Sequence, residues 1–143
     1  MILKFLLIAS FSFAQNKLVG TWKVMEVDLG GDFYYNIAKD SVSVSEKFKN
    51  DMKNEEDLTF FLNLLKSEYR ESLYSFTQSQ FEQKTKNFVL SASKYQIDVI
   101  QKVIFIEDDP KIPKMSFELL PHNKLLLFYI FEGHEVQLKL KKT

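Results

Sequence analysis

The end of the chain alternates between apolar and polar side chains. Val136, Leu138 and Leu140 occupy every second position, and the residues between them are polar or charged. A period of two is typical of a β-strand that buries one face and leaves the other in water. The pattern therefore predicts a strand over residues 135–142 with one dry face and one wet face.

The segment before it, Leu125–Phe131, is apolar at every position. A strand of this composition is expected to be buried on both faces, so its outer face needs a cover. We expect that cover to be a helix of the same chain. A dimer contact and an aggregation-prone strand are the alternatives.

In the middle of the chain the apolar residues follow a helical period. Five of them recur at the spacing of one helix face: Leu58, Phe61, Leu62, Leu65 and Tyr69. Ser43 with Glu46 has the pattern of a capping box, and Asn54 is a second helix start. These signals predict a short helix and a longer one that ends near Ser72. We expect the apolar face of the longer helix to pack on the outer face of Leu125–Phe131 or to close the mouth of a barrel.

Segments rich in β-branched and aromatic residues predict six further strands: Leu18–Asp28, Leu73–Gln80, Lys86–Ser91, Tyr95–Val99, Val103–Glu107 and Met115–Leu120. Turn-forming residues separate several of them, as at Gly30-Gly31, and consecutive strands tend to pair antiparallel. The chain is therefore predicted to be mainly β. The expected fold is an antiparallel up-and-down barrel of about eight strands, or a curled open sheet, with a helical insert at about residues 41–72 after the first strand.

The first 14 residues have the features of an export signal. Lys4 is their lone charge, an apolar stretch follows it, and Ser12 and Ala14 are the small residues expected before a cut at Gln15. The stretch is shorter than the roughly 20 residues that a membrane-spanning helix needs. We expect residues 1–14 to be a signal peptide. Residues 15–143 are expected to form a single domain without a transmembrane segment, periplasmic or secreted.

Charge and composition exclude several classes of function. Basic and acidic side chains balance at 19 each, which leaves no positive excess for the phosphates of a nucleic acid. The sequence has no cysteine, so disulfides, thiolate metal sites and thiol catalysis are excluded.

No residue pattern indicates catalysis. His122 and His134 occupy separate predicted turns and do not have the spacing of a metal site. No nucleophile motif, acid–base pair or phosphate-binding glycine loop stands out. We therefore expect a protein that is not an enzyme and that uses neither a metal nor a cofactor.

The first strand carries a motif that resembles a known family. Residues 18–24 read Leu-Val-Gly-Thr-Trp-Lys-Val, directly after the predicted signal peptide. This start resembles the lipocalin superfamily, and above all the short lipocalin-like domains of exported bacterial proteins. The segment from Asn123 to Gly133 and the lysine-rich end of the chain are also similar.

The resemblance implies roles for a few residues at the start of the barrel. In that family the tryptophan, here Trp22, plugs the closed base, and the glycine, here Gly20, lets the chain pass close beneath it. The family also packs an arginine over the tryptophan, and this sequence has none at a matching position. Lys139 or Lys141 would take its place over the indole.

A barrel of eight strands holds one small ligand or fills with its own side chains. The resemblance and the 15% aromatic content favour non-enzymatic binding of a small apolar or amphipathic molecule in the bacterial envelope. Four tyrosines are the expected polar anchors: Tyr34, Tyr35, Tyr95 and Tyr129. The alternative is a structural or interaction protein with a filled core and no ligand, which contacts another envelope protein through the helical insert or through Leu125–Phe131. An interior cavity of about 300 Å³ or more would favour binding.

Overall fold

The computed structural model describes residues 15–85 and 88–143, so the predicted signal peptide lies outside the described residues. These residues form ten strands and two helices beyond the short helical turn at residues 15–18: β1 (Gly20–Leu29), β2 (Phe33–Asn36), β3 (Ser41–Val44), α1 (Glu46–Asp51), α2 (Glu55–Glu71), β4 (Leu73–Phe76), β5 (Gln80–Lys84), β6 (Val89–Asp98), β7 (Val103–Ile106), β8 (Lys114–Leu120), β9 (Lys124–Phe131) and β10 (His134–Lys142).

Eight of the strands form a closed antiparallel barrel. Strands β4 to β10 pair in chain order, β4 also pairs with β1, and the pairing of β10 with β1 closes the ring. In that last pairing Val24 lies opposite Leu140 and Val27 opposite Leu138, with a bulge between Val24 and Glu26. The predicted mainly β barrel is confirmed, in its closed rather than its open form.

Strand β1 is long enough to pair with two strands along its other edge. Its first half, Gly20–Lys23, pairs with β4, and its second half, Glu26–Leu29, pairs with β2. Strand β3 pairs with β2 and extends the sheet beyond the barrel. This hairpin is missing from the sequence prediction, so the helical insert follows three strands rather than one.

Two strand boundaries differ from the prediction. The predicted strand Leu73–Gln80 is interrupted by a turn, because the hydroxyl of Thr77 accepts hydrogen bonds from the backbone N–H groups of Ser79 and Gln80. Strand β5 begins after that turn. Most of the predicted strands Lys86–Ser91 and Tyr95–Val99 instead belongs to a single strand, β6, which begins at Val89 and ends at Asp98, while residues 86 and 87 lie outside the described residues. The sequence prediction therefore has the correct number of eight barrel strands because two errors cancel: it omits β5 and divides β6 into two strands.

The two helices lie where their periodicity places them. The side chain of Asn54 accepts a hydrogen bond from the backbone N–H of Asp57 and begins α2, which ends at Ser72 as predicted. Ser45, rather than Ser43, caps α1 through the N–H of Phe48. Ser43 is part of β3 because it pairs there with Tyr34.

Trp22 is buried near the end of the barrel where the chain enters β1. Its indole N–H donates a 2.8 Å hydrogen bond to the carbonyl of Leu18. The ammonium of Lys142 lies 4.9 Å from the centre of the indole ring and donates a 2.6 Å hydrogen bond to the carbonyl of Lys17. The cation over the tryptophan is therefore Lys142, and the expectation of Lys139 or Lys141 is wrong.

The position of Lys142 follows from the alternation along β10. Residues 136, 138 and 140 point into the barrel, so residue 142 does as well, whereas Lys139 and Lys141 point outward. Gly20 allows the lysine to cross at this point. Its φ of 140° is one that other residues rarely adopt, and a Cβ there would lie 3.1 Å from Cε of Lys142.

Strand β9 has one buried face, so the prediction of two dry faces is wrong. Leu125, Leu127 and Tyr129 point into the barrel, whereas Phe128 and Ile130 are 37% and 47% exposed on the outside. Helix α2 does not cover that outer face. Its half-buried Leu62, Leu65 and Tyr69 pack against the barrel core instead, at the open end of the barrel. The outer apolar residues stand among polar neighbours, since Phe128 lies between Ser116 and Gln137 on the adjacent strands.

We expect Trp22→Ala to lower the free energy of unfolding by about 3–5 kcal/mol, because it removes the largest buried side chain and leaves a cavity. Urea denaturation followed by circular dichroism measures the loss. Tyr34→Ala is the control, because Tyr34 is 37% exposed on β2 and should cost far less. Equal losses in the two variants would contradict a structural role specific to Trp22.

Candidate functional site

The two ends of the barrel differ in what closes them. We call the end with the β4–β5, β6–β7 and β8–β9 turns the base, and Trp22 with Lys142 lies there. We call the other end, with the β5–β6, β7–β8 and β9–β10 connections, the mouth. A cavity of about 420 Å³ opens at the mouth. Its lining includes residues of α2, β4, β6, β9 and β10, among them Tyr69, Tyr74, Ser91, Ser93, Tyr129 and Val136.

The cavity exists because one wall of the barrel carries small side chains near the mouth. Along β6 the inward positions are Ser91, Ser93, Tyr95 and Ile97, so small polar residues give way to large ones toward the base. At the base, Tyr95 packs edge-on against Phe76 and fills the interior. The two serines leave the corresponding space open and add hydroxyl groups to its wall.

Three tyrosines meet on the other side of the cavity. Tyr74 and Tyr129 are buried and their phenols interact with each other, and Tyr69 of α2 lies beside them. Burial raises the pKa of each of the three phenols above the ordinary value of 10, and the negative charge of Glu68 adds to the effect. The three hydroxyls are therefore neutral hydrogen-bonding groups throughout the physiological pH range.

An ion-pair cluster holds α2 against the β2–β3 hairpin. Arg70 donates hydrogen bonds of 2.7 Å to the hydroxyl of Tyr35 and 3.0 Å to Oδ1 of Asp40. The Tyr35 hydroxyl in turn donates to Asp40, and the ammonium of Lys66 lies 3.0 Å from the same carboxylate oxygen. The cluster therefore holds in place the C-terminal end of α2, whose residues Glu68 and Tyr69 line the cavity.

The rim of the cavity is acidic. Glu68, Asp108 and Asp109 line it, together with Lys111. The carboxylate of Asp109 is also structural, because it accepts hydrogen bonds from the backbone N–H groups of Lys111 and Ile112 and so shapes the β7–β8 loop.

Of the four tyrosines predicted to anchor a ligand, Tyr129 lines the cavity and the other three do not. Tyr34 is on the outside of the barrel, beside Leu126 and Gln137. The hydroxyl of Tyr35 is bonded to Asp40 and Arg70. Tyr95 lies toward the base, where its hydroxyl donates to the carbonyl of Thr77.

Sequence reasoning missed Tyr69, Tyr74 and the two serines. In the sequence Tyr69 belongs to the apolar face of a helix, and that pattern gives no sign that its hydroxyl lines a cavity. Ser91 and Ser93 share the inward face of β6 with Tyr95 and Ile97, and the alternation of residues indicates this. Predicting two strands in place of β6 hides the relation.

The two histidines lie at opposite ends of the barrel. His122 is exposed in the β8–β9 turn at the base, and His134 is exposed where the mouth hairpin enters β10. Within the described residues, no group of three or more histidine, aspartate or glutamate side chains could hold a metal ion. Across residues 15–85 and 88–143, no helix has both the length and the apolar character to cross a membrane.

Comparisons with known proteins support the fold. No family model and no curated protein match the sequence. Among solved structures, the chain is similar to a DUF4847 family protein from Bacteroides vulgatus, with a TM-score of 0.52 and 15% sequence identity. The match covers 92% of this chain and 97% of that one. At such low identity the similarity shows a shared barrel fold and nothing about ligands.

We expect the phenols of Tyr69, Tyr74 and Tyr129 to ionise only above pH 10 in the folded protein. Absorbance titration near the phenolate band measures this, and the delayed phase should move to about pH 10 in urea. Because these pKa values are raised by folding, their contribution to stability is complete below pH 10 and is lost as the pH rises through the raised values. A titration that is the same in folded and unfolded protein would contradict the buried cluster.

We expect Asp40→Asn to lower the melting temperature at neutral pH and to have little effect in strong acid. The hydrogen bond from Lys66, followed by that from Tyr35, holds the pKa of Asp40 below its ordinary value of 3.8. The ion pairs therefore stabilise the fold above pH 3.8, and the benefit is lost as the pH falls through the lowered pKa. Melting curves at several pH values test this. Glu118→Gln, at an exposed position on β8, is the control and should show no such dependence.

Proposed function

We propose that the protein is an exported, non-enzymatic carrier that binds a small amphipathic molecule in the mouth of a lipocalin-like barrel. The observation that carries the proposal is the cavity of about 420 Å³ inside the open end of the barrel. Its size lies within the range of about 300–1,000 Å³ that is typical of small-molecule sites.

The lining favours an amphipathic ligand over a purely apolar one. Val136, Ile112 and Phe131 offer apolar surface, on which burial contributes about 25 cal/mol per Å². The hydroxyls of Tyr69 and Ser91, with others on the same walls, can donate and accept hydrogen bonds. A ligand with an apolar body and one or two polar groups would satisfy both kinds of surface.

Binding is proposed rather than catalysis because the hydroxyl groups inside the cavity are poorly suited to moving protons. The raised pKa values keep the tyrosines neutral, so they do not act as bases near pH 7. Hydroxyls of this kind orient a ligand and discriminate against molecules that leave them without a partner.

The lipocalin-like assignment and the export of the chain are part of the proposal. The Gly-x-Trp start on β1 and the apolar segment before it support both. The buried indole of Trp22 occupies the base, and the cavity opens at the mouth. The alternative, an interaction protein with a filled core, is less well supported because the interior contains an open cavity.

We expect Ser91→Phe to abolish binding of a neutral amphipathic probe such as N-phenylnaphthylamine, because the new ring occupies the cavity. Probe fluorescence on titration with protein measures the affinity. Ala92→Phe is the matched control, since it adds the same ring at the next residue, which is exposed on the outside of β6. This variant should bind as well as the unchanged protein.

Two results would contradict the proposal. The first is a probe affinity that Ser91→Phe and Ala92→Phe change equally. The second is the absence of both probe binding and any co-purified small molecule, the latter measured by native mass spectrometry of the protein isolated from its own host. A folded protein in either case would point to the alternative of a structural role.

A further inference from the structure

Three lysines stand side by side on the outside of the barrel near the base. Lys23 of β1 lies directly opposite Lys141 of β10, and Lys141 lies directly opposite Lys124 of β9. Residues opposite each other on adjacent strands share a face of the sheet, with Cβ atoms about 5 Å apart. We call these three residues the lysine row.

Among the described residues, no neighbouring carboxylate offsets the charge of the lysine row. In the part of the chain that the structure describes, no carboxylate forms an ion pair with any of its three ammonium groups, whereas the next outward lysine on β10, Lys139, lies 3.8 Å from Glu26. Like charges directly opposite each other on neighbouring strands destabilise a sheet. The lysine row therefore lowers the stability of the fold through charge repulsion, whereas Lys139 is paired with Glu26 and does not.

Further cations surround the same end of the barrel. Lys17, Lys124 and Lys142 line a hollow of about 410 Å³ at the base, next to His122. The mouth, in contrast, has Glu68, Asp108 and Asp109 at its rim. Although the net charge of the chain is zero, its two ends are thus of opposite sign.

We propose that the lysine row and the base dock on a bilayer surface that contains anionic phospholipids. Each lysine close to such a surface strengthens binding by about fivefold, so several acting together give a substantial, salt-sensitive attraction. A row of three ammonium groups across three strands can contact several phosphate groups of a surface, more than a single small anion would offer.

The path of the chain favours a bilayer over other anionic partners. Gln15 donates a 2.7 Å hydrogen bond to the carbonyl of Gln78 in the β4–β5 turn, so the predicted cut site lies at the base. The 14 residues before it are apolar apart from Lys4, Ser10 and Ser12. Until that cut is made, insertion of this segment in a membrane would place the base and its lysine row beside the headgroups.

Vesicle flotation tests the proposal with residues 15–143, which contain every barrel strand and the whole core and lack the apolar segment that would bind lipid by itself. We expect binding to vesicles of equal parts phosphatidylglycerol and phosphatidylcholine, lost in high salt, and none to phosphatidylcholine alone. Reversing the row with K23E, K124E and K141E together should lower the partition coefficient more than about tenfold. The matched control, with K39E, K47E and K53E together, makes the same change of charge on the β2–β3 turn and the helical insert and should lower it far less.

The single variant Lys141→Glu separates docking from folding. It turns two like-charge pairs into two opposite-charge pairs, so we expect a higher melting temperature together with weaker vesicle binding. A structural role of the row would instead lower stability. Equal vesicle binding by the row variant and the control variant would overturn the proposal. So would concentration-dependent self-association in the absence of lipid that the row variant abolishes, because the row would then contact a second copy of the chain.

Discussion

The pairing of β1 with β10 is the constraint on which the rest of the structure depends. It closes the ring of eight strands and brings Lys142 over Trp22, whose indole is fixed by the carbonyl of Leu18. With the base filled in this way, the space left inside the barrel opens at the mouth. The same pairing brings Lys23, Lys141 and Lys124 into one row. The register between β1 and β10 therefore determines the core, the cavity and the charged surface.

The second determinant is the division of β1 between two neighbours. Because β4 pairs with its first half and β2 with its second, a gap is left between β4 and β2, and α2, which leads into β4, packs against the core. The cluster of Asp40, Arg70, Lys66 and Tyr35 joins the helix to the hairpin across that gap. The wall of the cavity thus combines strands fixed by backbone hydrogen bonds with a helix fixed by side chains, and side-chain contacts yield more readily.

Much of this architecture could be predicted from the sequence, and its failures have physical causes. The alternation along β10 and the helical period over Leu58–Tyr69 depend only on local backbone geometry, and the strand and the helix that they predict are both present. The prediction for β9 was wrong because a run of seven apolar residues does not show which residues lie beside it on the adjacent strands. Ser116 and Gln137 are polar and flank Phe128, so the outer face of β9 is exposed to water. The mouth was missed for a related reason. Tyr69, Tyr74 and Tyr129 come from three elements, and only the closed barrel brings them together.

Closure by the first and last strands also affects how the protein is made. The contacts between β1 and β10 span nearly the whole chain, and the N–H of Thr143 still bonds to the carbonyl of Thr21. Pairings of such long range form late, since a large loop must first be closed. A growing chain cannot complete its barrel until β10 has left the ribosome. Until then, two unpaired strand edges remain exposed, and the incomplete protein is a natural client for chaperones.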